Sequence, residues 1–244
     1  MKIQEMFMLP SIRGSIDMKW HFEDFIYGSI DGAVTTFAVV AGASGAALSP
    51  SVVLILGFAN LFGDGFSMAI GNYLAAKTRK EYIEKERRKE EWEIDNLAEQ
   101  EKQEIRDIYA NKGFKDELLE QIVRIITSRR KVWLDTMMKE ELGLIEGKRR
   151  PVDTAISTFT GFNIIGLIPL IPFVFFFTSN SGLSSSDVFQ YSVIFTVIAF
   201  FLVGILKGKI VKRSLFKSGT YTLAVGGIAA IVAYLVGYLL SLVV

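Results

Sequence analysis

Four glutamates share one face of a segment whose composition is helical. Glu90 and Glu93 are followed by Glu101 and Glu104 inside the charged run EYIEKERRKEEWEIDNLAEQEKQEIR, residues 81–106. At about 100° per residue the four occupy an arc of roughly 80°, and Glu86 falls on the same face. Three and four residues after them stand Glu93, Asn96, Glu104 and Asp107, and Ile94, Leu97, Ile105 and Ile108. No base follows any of the four at helical spacing. The earlier part of the run differs, because Glu81 with Lys85 and Glu84 with Arg88 form ordinary acid–base pairs of a solvated helix. Unpaired like charges on a half-apolar face are unfavourable unless a cation offsets them. On one continuous helix Glu90 and Glu101 stand about 16 Å apart, which predicts two ion subsites, or a line of them, rather than one.

A second group lies in WLDTMMKEELGL, where Met137, Met138 and Glu141 fall within one turn of a helix expected over about Arg130–Leu144. Carboxylates and thioethers, in a chain with no cysteine and one histidine, suit a labile divalent cation and not a structural zinc ion. A methionine pair also serves as core filler, and spacing alone leaves both roles open. The absence of cysteine excludes disulfides, thiolate metal sites and catalytic thiols. The single histidine, His21, is expected at a membrane edge as a bystander.

The elements that must carry these residues are of two kinds. Charge is concentrated in residues 79–150, and the remainder is nearly pure apolar sequence rich in glycine. Five segments are long and apolar enough to cross about 30 Å of hydrocarbon: about Phe22–Leu48, Ser51–Ala76, Val152–Thr178, Val188–Leu206 and Thr220–Val244. The expected fold is an all-α membrane protein. Residues 1–78 hold an N-terminal segment and two spans, residues 79–150 an inserted three-helix cytoplasmic metal-binding domain, and residues 151–244 three further spans. A turn at Asn111-Lys112-Gly113 separates the acidic helix from an amphipathic one over Asp116–Thr127. Met1–Trp20 has no apolar core of signal-peptide length. Lys and Arg crowd the 79–150 segment and the connection holding Lys207, Lys209, Lys212, Arg213 and Lys217, whereas the connections near Ser49 and Ser179–Ser186 have none. A cytoplasmic N-terminus satisfies every loop. The short termini, without sorting signals, point to a prokaryotic cell membrane.

Two carboxylates, Asp31 and Asp64, fall well inside the first and second spans. An ionisable group at that depth costs at least about 2.5 kcal/mol and marks a functional position by default. Asn60, Asp64, Met68 and Asn72 step by four along the second span and form one slanted polar stripe. It could line a path for a partly dehydrated cation, or its amides could bind helices together. Asp24 and Asp153 sit nearer the membrane edge, where a solvated or helix N-terminal role is expected. Pro169 and Pro172 should bend or interrupt the third span, and Gly28, Gly32, Gly42 and Gly45 allow close helix approach to the first.

Taken together, DFIYGSIDGAVTTFAVVAGASGA, SMAIGNYLAAK, WLDTMMKEELGL and GLIPLIPF resemble, in that order, elements of the vacuolar iron transporter family. The resemblance runs from about Asp24 to the C-terminus. It implies five spans, a homodimer with the ion path between subunits, and export of Fe²⁺ from the cytoplasm in exchange for protons. By the same resemblance Asp31 and Met68 are transmembrane cation ligands. Glu90, Glu93, Glu101, Glu104, Met137, Met138 and Glu141 correspond to cytoplasmic metal ligands. The chain departs from the family pattern at Asn60, where a glutamate is expected, and Asp64 one turn on takes its place as the pathway carboxylate. It departs again before Trp133, where Arg129-Arg130-Lys131 replaces an expected proline.

The expected activity is therefore that of a secondary-active transporter of Fe²⁺, or Mn²⁺, with no prosthetic group. Its partners would be the metal ion, protons, the lipid bilayer and a second copy of the chain, with no nucleic acid. Two other classes use similar residues. A membrane-anchored di-iron oxidase also uses helical glutamates but requires Glu-x-x-His pairs, and a membrane scaffold would use the charged helices to hold a protein partner.

Overall fold

A computed structural model describes residues 10–145, 147, 150–179 and 184–243, with side chains described from Phe22 onward. His21 therefore lies outside the described side chains. The described elements are helical throughout: α1 (Pro10–Gly45), α2 (Pro50–Asn96), α3 (Ala98–Asn111), α4 (Asp116–Thr127), α5 (Arg130–Thr136) running into a π-helical turn (Met137–Glu141), α6 (Pro151–Gly166), a 3₁₀ turn (Ile168–Leu170), α7 (Ile171–Thr178), α8 (Ser185–Ile210) and α9 (Leu215–Ser241). Five stretches are long and apolar enough to cross a membrane: Phe22–Gly45, Pro50–Asn96, Pro151–Thr178, Ser185–Ile210 and Leu215–Ser241. At 47 residues, α2 is about 70 Å long, more than twice the hydrocarbon thickness. Only its apolar N-terminal part matches a bilayer. Two compact units result, one comprising Met1–Leu74 with Arg149–Val244 and the other Ala75–Lys148.

In the first unit α1 packs on α6, α8 and α9, and glycine sets the distance of closest approach. A β-carbon at Gly28 would overlap the Thr158 carbonyl, one at Gly32 the Phe162 carbonyl, and one at Gly161 the Phe25 carbonyl. The obstacle in each case is main chain, which cannot swing aside. Gly161→Ala should therefore push α1 and α6 apart at a cost of about 1–3 kcal/mol. A lowered Tm of the purified protein in detergent checks this, and an unchanged Tm would mean that the crossing is looser than described.

Phe37, Val40, Leu61, Phe162, Leu170 and Phe173 centre the core of this unit. Most of α9 faces outward, with Ile228, Ile231, Val232 and Leu239 exposed, a surface suited to lipid. The third span is interrupted where its prolines predict: α6 ends at Gly166, and a 3₁₀ turn carrying Pro169 leads into α7. The Pro169 carbonyl at the break accepts a hydrogen bond from the buried Ser192 hydroxyl at 2.6 Å, which satisfies one main-chain acceptor in an apolar setting.

The second unit joins the C-terminal part of α2 to α3, α4, α5 and the π turn around Ile83, Ile94, Ile105, Val123, Ile126, Trp133 and Leu134. Gly113 takes the left-handed conformation at φ +97° after α3, as the Asn-Lys-Gly signal predicts, and the Phe114 N–H closes the turn on the Tyr109 carbonyl at 3.2 Å. The acidic run differs from the sequence-based expectation. It forms two helices, because the chain breaks at Leu97 (φ −125°, ψ 34°) between α2 and α3.

Candidate metal centre

The break at Leu97 has local causes. Asp95 and Asn96 are poor helix formers because their side chains compete for backbone groups, and the Asn96 amide donates to the Trp92 carbonyl at 2.7 Å. Arg130 holds the end of α2, pairing with Asp95 at 2.7 Å and reaching the Glu91 carbonyl at 3.4 Å. A cation at a helix C-terminus is favourable for both its charge and its hydrogen bonds. Beyond the break, α3 takes a new course with Glu101 in its first turn.

This overturns the separation inferred for a continuous helix. Glu90 of α2, Glu101 of α3 and Glu141 of the π turn each offer a carboxylate oxygen, and the three oxygens lie within 4.8 Å of one another. Two oxygens on opposite sides of an ion held at about 2.0–2.2 Å stand about 4.0–4.4 Å apart, so shifts of a few tenths of an ångström (~0.4 Å) let one divalent ion be shared. Glu90 and Glu101 are buried, at 1% and 4% exposure. The Oε2 atom of each is buried without a hydrogen-bond partner. Such an acceptor costs about 1–3 kcal/mol, more when charged, unless a cation or proton satisfies it.

Burial is the first cause, and neighbouring carboxylates the second, of a common shift in the titration of these groups. Glu90 is pushed up to about 7 by burial and then by Glu101, Glu93 and Glu104. Glu101 is pushed up to about 7 by burial and then by Glu104, Glu141 and Glu93. Glu141 is also pushed up to about 7, by burial of its carboxyl, by Glu90 and by Glu104, which is hydrogen-bonded to it. The Glu141 residue as a whole is exposed, so the burial concerns the carboxyl end turned into the cluster.

Glu93 and Glu104 thus act on the same three groups, although among the described residues only Glu90, Glu101 and Glu141 come together at ligand spacing. Glu93 has a counter-charge that a forward-looking count misses: Lys89, four residues earlier, approaches it at 3.2 Å. Met137 and Met138 are buried in the apolar cluster with Ile94, Ile105 and Trp133. They occupy a π turn, in which the Leu142 N–H reaches the Met137 carbonyl at 3.3 Å and the Leu144 N–H the Met138 carbonyl at 2.8 Å. The wider turn re-aims Glu141 relative to an α-helix, a distortion frequent at functional sites. Trp133 Nε1 is buried and unpartnered within this cluster.

In the first unit, Asp31 of α1 is half-buried and Asp64 of α2 exposed, and the two are close enough to interact electrostatically. Met68 packs against the apolar core. The slanted stripe divides. The Asn72 amide donates to Thr158 Oγ1 at 2.7 Å and Asp24 Oδ1 at 3.4 Å, which is helix binding in the plain sense, whereas Asn60 Nδ2 is buried without a partner. Asp24 is neither solvated nor N-terminal as expected: α1 begins at Pro10, so Asp24 lies within the helix and is buried. Asp153 does sit in the first turn of α6, paired with Arg150 at 2.6 Å.

The chain is 39% identical over 223 residues to a protein named vacuolar iron transporter from Toxoplasma gondii, covering 90% of this chain and 74% of that one. It is 34% identical over 227 residues to a vacuolar iron transporter of Plasmodium falciparum, covering 91% and 83%. A vacuolar iron transporter of Centaurea cyanus is 34% identical over 212 residues, covering 86% and 84%. The VIT family model matches residues 22–238, a range that includes both the intramembrane aspartates and the glutamate cluster, and the chain belongs to the VIT family.

Proposed function

We propose that this protein carries divalent transition-metal ions, Fe²⁺ foremost and Mn²⁺ next, out of the cytoplasm in exchange for protons. The observation that carries the reading is the Glu90–Glu101–Glu141 cluster with its two buried, unpartnered carboxylate oxygens, in a family whose relatives are named iron transporters. The cluster is the collector. It gathers the ion in the Ala75–Lys148 unit, which the distribution of Lys and Arg puts on the cytoplasmic side. Asp31, Asp64 and Met68 are the transmembrane ligands that receive it. Carboxylates that bind either a proton or a metal couple the two flows, because protonation and coordination compete for the same oxygen.

The working unit in this reading is a homodimer. Asp64 is exposed on α2, and a bare carboxylate facing hydrocarbon is costly. Beside it run Ala59, Gly63, Ser67 and Gly71, all exposed, and a β-carbon at Gly63 or Gly71 would meet nothing. Small residues at this spacing let a second helix approach closely, and a second copy would remove Asp64 from lipid.

Met137 and Met138 add preference for softer ions over Mg²⁺ and Ca²⁺. Replacing both with leucine preserves volume and should cost less than about 1.5 kcal/mol of stability. It should, however, let Mg²⁺ compete with Fe²⁺ uptake in proteoliposomes. Unchanged competition would reduce the two residues to core filler. Competition of Mn²⁺, Co²⁺ and Zn²⁺ against Fe²⁺ in the same assay tests the identity of the cargo.

A further inference from the structure

The connection between α8 and α9 carries Lys207, Lys209, Lys212, Arg213 and Lys217, and no Asp or Glu occurs anywhere from Val188 to Val244. Bases of the Ala75–Lys148 unit such as Arg106 and Arg130 are held by carboxylates at 2.7 Å. Among the described residues none of these five cations has an ion-pair partner, and Lys207 instead lies over the Tyr221 ring at 5.6 Å.

The connection is held in one shape. A β-carbon at Gly204 would stand 2.6 Å from the Gly219 Cα, and one at Gly208 would stand 2.9 Å from the Ser218 Cβ, so α8 and α9 cross in close contact just below it. The turn itself is a Schellman turn, with the Arg213 N–H on the Gly208 carbonyl at 2.9 Å and the Lys212 N–H on the Lys209 carbonyl at 3.4 Å. Its left-handed residue is Lys212, at φ +54°. Glycine takes that conformation without steric cost, so the fold carries strain where it carries a charge.

Between the cations Val211, Leu215 and Phe216 are exposed, Phe216 at 69%. Unpaired ammonium and guanidinium groups interleaved with bare apolar side chains, at the ends of two membrane-length helices, match a layer that is anionic outside and apolar beneath. A free phosphate would satisfy the cations but leave the apolar residues in water.

We infer that the α8–α9 turn is a binding surface for anionic phospholipid headgroups, with the five cations on the phosphates and Val211, Leu215 and Phe216 entering the acyl boundary. None of the residues of this surface belongs to either metal-ligand group, and its test needs neither transport nor a dimer. Retention of phosphatidylglycerol and of phosphatidylcholine by the full-length protein in detergent can be compared by native mass spectrometry. The unmodified protein should prefer phosphatidylglycerol several-fold, and the preference should shrink as salt is raised. Lys209→Gln and Lys212→Gly should each weaken it about fivefold. Because glycine suits the Lys212 backbone, Lys212→Gly should leave Tm unchanged or raise it, which separates lost binding from lost folding. Equal retention of the two lipids, or full phosphatidylglycerol retention by both variants, overturns the inference. Displacement of the lipid by inorganic phosphate at equal concentration would identify a free-anion site and overturn it as well.

Discussion

Asp31→Ala should reduce metal uptake by proteoliposomes at least about 100-fold, with the protein still folded and inserted. The magnitude follows from what the residue does in the proposed pathway: loss even of a supporting group around a metal typically costs 10–100-fold, and Asp31 is assigned as a ligand. It is half-buried on α1 within electrostatic reach of Asp64 on α2. Two carboxylates near one another on two apolar spans are each unfavourable, so an arrangement that keeps both requires a use for their charge. Asp64→Ala should have an effect of similar size, since Asp64 is the second carboxylate of the proposed pathway and Asn60, one turn before it, carries no charge. Asn replacements refine the result, because they keep shape and remove charge. Transport by Asp64→Asn but not by Asp31→Asn would leave Asp31 as the single essential carboxylate. Normal transport by both alanine variants would remove the pathway assignment altogether.

The metal-free protein should lose stability as pH rises from about 4.5 to beyond 7, and a divalent ion should reverse this. Glu90, Glu101 and Glu141 are each raised from the ordinary 4.5 to about 7. Between those values the folded chain holds protons that the unfolded chain has released. Stability from this source is therefore complete below pH 4.5 and is lost as pH rises through about 7. Metal binding has the opposite dependence, since the ligand oxygens must be deprotonated. Affinity should rise with pH, and binding at pH 6 should release protons. Glu101→Gln should flatten the pH profile of the metal-free protein, raise its Tm above pH 7, and weaken Mn²⁺ binding at least about tenfold. Scanning calorimetry from pH 5 to 8, with and without Mn²⁺, gives all three readings. A metal-free Tm that climbs steadily with pH would contradict the cluster's electrostatics.

The spans were legible because hydrophobic length is a coarse signal that local detail cannot hide. Pro169 and Gly113 were legible because proline restricts its own backbone and glycine frees its own, and a helix interruption and a left-handed turn stand at those positions. The glutamates were legible by type and spacing. Their convergence was not, because it depends on Leu97. Apolar periodicity continues across that residue, and the break is stabilised by Arg130, whose pairing with Asp95 spans 35 positions. The π turn at Met137–Glu141 has no propensity signature, so α-helical spacing misplaces Glu141. Asp24 was misjudged for a related reason. Its place inside a helix follows from the extension of α1 back to Pro10, its side chain meets Asn72 of α2, and neither is visible in the residues flanking it.

The most direct test of the central proposal is Fe²⁺ uptake into proteoliposomes holding the purified protein, with a pH gradient as the only driving force. Proton-coupled export predicts Fe²⁺ accumulation in an interior made acidic, with protons leaving as the metal enters, and collapse of both when an ionophore dissipates the gradient. Fe²⁺ entry at the same rate with and without the gradient, or no entry beyond protein-free vesicles, would contradict it.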